Sequence, residues 1–112
     1  MKKILSLLAP ETENPHGVSV RKLHETEHVV TVLITLQPGQ ALKLHKTPVD
    51  AFFFGLEGEG TVEIGGEREK LASFTLVDSP ARIPHRILNE SDGLVRVLVV
   101  KTPRPGERTK IL

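Results

Sequence analysis

Apolar residues along the chain fall in short runs broken by Gly, Pro, Asn and Asp, and no long segment repeats with helical period. The runs are VSVRKL (18–23), HVVTVLITL (28–36), ALKLH (41–45), AFFFGL (51–56), GTVEIG (60–65), SFTLV (73–77), ARIPHRIL (81–88) and LVRVLVVK (94–101). Turn signals separate them: Pro38-Gly39, Thr47-Pro48, Gly58 to Gly60, Gly65-Gly66, Asp78 to Pro80 and Asn89 to Gly93. Gly65-Gly66 supplies the two positive-φ positions of a type I′ hairpin. Eight short strands with turns this regular predict an all-β fold, either a two-sheet sandwich or a closed barrel.

Several of these strands are apolar on both faces. Val30, Val32, Ile34 and Leu36 share one parity of the second run, but Val29 and Leu33 occupy the other. Phe52, Phe53 and Phe54 are consecutive, so rings emerge on both sides of that strand however it is phased. One side fills the interior and the other needs a cover. A second copy of the chain is the expected cover, making a homodimer; the alternative is the chain's own N- or C-terminal arm.

At 112 residues the chain makes one domain, 1–112, with an N-terminal arm over about 1–17 and a C-terminal tail over about 102–112. Its 38% apolar and 26% charged residues are ordinary for a globular protein. Lys+Arg number 15 against 14 Asp+Glu, which gives no reason to expect nucleic acid or an anionic membrane as partner. There is no cysteine, so a metal here would need His, carboxylate or hydroxyl ligands. MKKILSLLAP resembles the start of a signal peptide, but its apolar stretch, Ile4 to Ala9, is too short for a secretory core or a membrane span. The expected location is therefore cytoplasmic, with the N-terminus forming an edge strand or an arm packed on a neighbour.

Two spaced patterns carry a family resemblance. In the first, Gly39 precedes His45 by five intervening residues, and Gly58 closes the stretch LEGEG (56–60). In the second, Pro80, His85 and Asn89 stand in ARIPHRILN and the proline before it. In order and spacing these resemble the two motifs of the cupins, G-x5-H-x-H-x3-E-x6-G and G-x5-P-x-G-x2-H-x3-N. The resemblance is to the small single-domain cupins and covers residues 28 to about 103. It implies a double-stranded β-helix (jelly-roll) barrel with a divalent metal (Zn, Ni, Mn or Fe) held by the motif histidines and glutamate. The sequence departs from the motifs at Thr47 (second histidine), Ala51 (glutamate), Phe74 (first glycine of the second motif) and Arg82 (its second glycine). Of four ligand positions, only His45 and His85 remain.

Two histidines alone make a poor metal cage, because zinc sites use three or four protein ligands and iron oxygenases add a carboxylate. Asp50 neighbours the missing glutamate position and becomes a third ligand only if the turn at Pro48 swings it inward. His24 and His28 are read as strand-end residues facing solvent, and His16, between Pro15 and Gly17, as a surface residue. The expected ligand pocket comprises His45, Thr47, Ala51, Phe53, Gly55, His85 and Asn89. Gly55 either leaves room there or marks a bulge. Arg82 and Arg86 flank His85 and are read as solvated. Glu67 and Glu69, interleaved with Arg68 and Lys70, make a solvated strand, and the basic tail TPRPGERTKIL is expected to leave the barrel.

Three functions stay open: a barrel binding a small molecule at the two histidines beside an incomplete metal site; a metal-dependent isomerase, dioxygenase or lyase with His45 and His85 as ligands; and an assembly module. No catalytic residue is assigned. The chain holds no G-x-S-x-G, phosphate-binding glycine loop or H-E-x-x-H.

Overall fold

The inward parity of two long apolar strands decides the layering. The computed structural model describes residues 1–106 and 110–112, and in it β2 (Val30–Leu36) pairs antiparallel with β9 (Val95–Thr102). Val32, Ile34 and Leu36 stand opposite Val99, Val97 and Val95, so one face of the pair is wholly branched aliphatic. β4 (Asp50–Glu57) pairs with the other side of β9 and sets Phe53 opposite Val99 on that same face. The remaining strands are β1 (Ser19–Glu25), β3 (His45–Lys46), β5 (Gly60–Ile64), β6 (Glu67–Leu71), β7 (Leu76–Ser79), β8 (His85–Leu88) and β10 (Lys110–Ile111).

They form two five-stranded sheets, β1-β2-β9-β4-β7 and β10-β3-β8-β5-β6, which face each other as a jelly-roll barrel. Between the sheets lie Leu36, Val62, Leu71, Ile87, Val95 and Val97, none more than 1% exposed. Burying each such side chain is worth roughly 1.5–3 kcal/mol. This apolar packing, rather than the surface ion pairs, holds the barrel closed.

The outer faces of the two sheets differ. On the second sheet Glu63 accepts from Arg86 and Arg68, and Arg68 also reaches Glu90, so that face is dressed for water. On the first, Phe52 and Phe54 pair outward with Val100 and Leu98 and remain half-exposed, while Leu76 and Phe74 are exposed. The N-terminal arm packs on its own barrel. Arg21 donates to the Ala9 carbonyl and pairs with Glu11, the Thr12 amide donates to Val20, and Ala9 and Leu33 become buried. Ser6–Leu8 form a single 3-10 turn. Residues 107–109 of the basic tail lie outside the described residues, but its end does not leave the barrel: Lys110 and Ile111 pair with Lys46 and His45, and the Leu112 amide donates to Leu44. No helix among the described residues is long and apolar enough to cross a membrane.

Some predicted strands are displaced. SFTLV becomes a strand only from Leu76, because the Phe74 amide turns back to the Gly55 carbonyl. ALKLH shrinks to His45–Lys46 plus a lone bridge from Ala41 to Leu88. Phe74 and Arg82 have φ of 64° and 65°, and they are the only non-glycine residues among those described with positive φ. They occupy the two positions where the second motif calls for glycine. Both turns are left-handed without the glycine that favours such a φ.

Candidate functional site

β3 and β8 meet at a single register pair, His45 opposite His85, which sets the two imidazoles side by side inside the barrel. Their ring centroids are 4.5 Å apart, and the Phe53 ring meets His85 edge-on at 5.4 Å. A third imidazole completes the row. His16, read from the sequence as a surface residue, lies 4.8 Å from His45 and lines the same cavity. Asn14 puts it there: its Oδ1 accepts from the amides of His16 and Gly17, and its Nδ2 donates to the Thr12 and Val18 carbonyls. Asn-Pro-His-Gly is an Asx-turn sequence, and that signal was available to show the arm doubling back.

The cavity encloses about 200 Å³. Its apolar wall includes Ile34, Leu42, Phe53, Ile87 and Val99, and its polar residues are the three histidines, Asn14 and Lys101. Among the described residues, no carboxylate lines it. Lys101 was also missed, although parity reveals it: Val95, Val97 and Val99 point inward, and Lys101 is the next residue in that row.

Hydrogen bonds fix what each ring presents. The peptide groups of Lys43 hold two of them. Its amide donates to His16 Nδ1 at 3.0 Å, and its carbonyl accepts from His45 Nδ1 at 2.7 Å. Neutral His16 therefore carries its hydrogen on Nε2, and neutral His45 keeps a lone pair there. His85 has neither end free: Nδ1 bonds Ser79 Oγ at 2.5 Å and Nε2 bonds Thr47 Oγ1 at 3.1 Å. All three rings are held below the ordinary histidine range. Burial, then His45 and Lys101, bring His85 to about 3. Burial, then His45, Lys101 and Lys43, bring His16 to about 4. Burial lowers His45 against the opposing pull of the Lys43 carbonyl. Burial also lowers Lys101, which makes no ion pair among the described residues.

Of the expected pocket residues, His45, Phe53 and His85 line the cavity, and the other four are placed behind it or away from it. Thr47 is buried behind His85 as its hydrogen-bond partner. Ala51 is buried in β4 between Lys101 and Ser79. Asn89 spends its amide on the Leu36 and Gly93 carbonyls and its Oδ1 on Ser91, so it pins loops. Gly55 leaves no room: a Cβ there would sit 2.1 Å from the Ala72 carbonyl oxygen, and the register slips between Gly55 and Glu57. It marks a bulge under a close backbone crossing. Asp50 is exposed and accepts from the Ala81 amide at 2.9 Å, which turns it away from the barrel interior. Arg86 belongs to the outer network with Glu63, and His24 and His28 are exposed.

This donor set does not fit the metal that the motifs imply. A ligand histidine needs an imidazole lone pair free, and both nitrogens of His85 are taken by hydroxyls. The Thr47 hydroxyl is committed to that ring, Ala51 has no donor atom, and the Asp50 carboxylate caps a loop elsewhere. No group of three or more candidate ligands comes together among the described residues.

The family model for the Cupin domain matches residues 32–101. Among solved structures, TT1209 from Thermus thermophilus is 36% identical, with a TM-score of 0.80 over 93% of this chain and 98% of that one. The polyketide cyclase RemF from Streptomyces resistomycificus is 17% identical, with a TM-score of 0.85 over 100% of this chain and 85% of that one. A predicted oxalate decarboxylase from Thermotoga maritima is 18% identical, with a TM-score of 0.80 over 91% and 99%. The last two likenesses show the fold alone. No curated protein matches the chain.

Proposed function

The chain belongs to the cupin domain family, and we propose that it binds a small molecule inside the barrel, in the cavity at His45 and His85, beside a metal site its own donors leave incomplete. The observation that carries this reading is the pairing of an apolar cavity with a preset polar end. His16 offers a donor, His45 an acceptor, and each ring is locked by the same Lys43 peptide groups. Ligand sites are mostly apolar with a few placed polar groups, and preset groups lose little entropy on binding. Neighbours of the same fold include a cyclase and a predicted decarboxylase, so the fold by itself does not select an activity.

The test combines a thermal-shift screen of small organic compounds with elemental analysis of the purified chain. Compounds that raise the melting temperature of the wild type, but not of the cavity-filling Val99→Phe variant, support the reading. A screen in which stabilisation never depends on the cavity overturns it. Near-stoichiometric zinc, nickel, manganese or iron, lost in both His45→Ala and His85→Ala, would instead favour the metal-dependent enzyme.

A further inference from the structure

The cavity holds a cation and an imidazole donor that no described residue receives. Lys101 occupies an inward position of a central strand, where its predecessors Val95, Val97 and Val99 are buried aliphatics. Its cross-strand neighbours are Val30 and Ala51. Directly opposed residues have Cβ atoms only about 5 Å apart, so a carboxylate at Ala51 would have been its partner. The cupin motif puts a glutamate there, and in this chain that position is alanine. An ammonium in apolar surroundings is costly unless something pairs with it.

The other polar groups do not fill the gap. Asn14 spends both ends of its amide within the arm, and His85 is closed by Ser79 and Thr47. His16 Nε2–H has no acceptor among the described residues. Among the described residues the unmet groups are therefore the Lys101 ammonium and one imidazole donor, facing walls of Ile34, Leu42, Phe53, Ile87 and Val99. An inorganic anion would satisfy the donors but waste those walls.

Resting on the cavity reading above, we propose that the ligand is a small organic acid, an aromatic or branched monocarboxylate about the size of benzoate. Its carboxylate pairs with Lys101 and accepts from His16, and its apolar body lies against Phe53 and the aliphatic wall. The size follows from volume: an apolar cavity of about 150 Å³ takes up benzene, and this one encloses about 200 Å³. His45 Nε2 is left for the hydrogen of a water or of a ligand hydroxyl. Where the motif calls for a glutamate inside the barrel, this interior thus receives its carboxylate from outside.

Calorimetric titration of the full chain at pH 7.5 with benzoate and with benzamide, which share a shape and differ in charge, tests this. Benzoate is expected to bind about tenfold tighter or more, since hydrogen bonds to an ionised acceptor are roughly twice as strong as neutral ones. Lys101→Met, close in volume, should bring the two affinities together. Ala51→Glu should do the same by giving Lys101 an internal carboxylate. Equal affinities in the wild type, or a preference that survives in Lys101→Met, would overturn the acid while leaving a cavity ligand standing. If binding of both compounds is indifferent to Val99→Phe, the cavity reading falls and this inference with it.

Discussion

Lowering the pH from 7 to 5 charges the histidines of an unfolded chain but not the one at the centre of this barrel. His85 titrates near 6.5 when unfolded and at about 3 in the fold, chiefly because burial disfavours the imidazolium, with His45 and Lys101 adding repulsion. Between those values the unfolded state binds one more proton than the native state, so stability falls as pH falls through 6.5 and levels off below about 3. Each pH unit in that window is worth about 1.4 kcal/mol, and from pH 7 to pH 5 the loss from His85 alone is about 2 kcal/mol. His16 and His45 act in the same direction, His16 by less than its shift suggests because solvent reaches it. Carboxylates enter mainly below this range, with Glu25 and Glu63 held low by Lys22 and Arg86. Urea unfolding at pH 7, 6 and 5 should show the wild type losing about 2 kcal/mol more than His85→Gln, whose amide still has a donor and an acceptor for Thr47 and Ser79. Parallel pH profiles for the two proteins, or a His85 ring proton that titrates near 6.5 in the folded state by NMR, would refute the reasoning.

Gly55→Ala should cost at least about 2 kcal/mol in chemical unfolding, because its Cβ would meet the Ala72 carbonyl oxygen at 2.1 Å; a variant as stable as the wild type would mean that the crossing is loose. Arg82→Gly should be more stable than Arg82→Ala by about 1 kcal/mol. The two variants share the loss of the side chain and differ only in a Cβ held at φ 65°, so equal melting curves would contradict the strain. The outer face of the first sheet, with Phe52, Phe54, Leu98 and Val100 flanked by exposed Leu76 and Phe74, is expected to seat a second copy. Sedimentation velocity should then give twice the 12.3 kDa chain mass, and Phe54→Lys should halve it; a monomeric wild type would remove the dimer.

The fold was legible in the sequence because the barrel is built from period-two strands, and period two survives even where the motifs have decayed. Val32, Ile34 and Leu36 announce their face without any tertiary information, and so do Val95, Val97 and Val99. The site was legible only in part. Register made His45 and His85 easy to place, because both sit on short strands with inward parity. Thr47 and Ala51 invited the opposite error. The family's ligands stand at both positions, yet Thr47 lies behind the His85 ring as its hydrogen-bond partner, and the short Ala51 leaves the cavity to Lys101 across the sheet. His16 escaped because its position depends on a contact between residues 16 and 43, and nothing local encodes that pairing. The arm's Asx turn fixes the direction of the chain, but only the Lys43 peptide fixes the ring. An eroded motif therefore states which chemistry has been lost. What replaced it has to be sought among the cross-strand neighbours of the lost residues and in the loops that close over them.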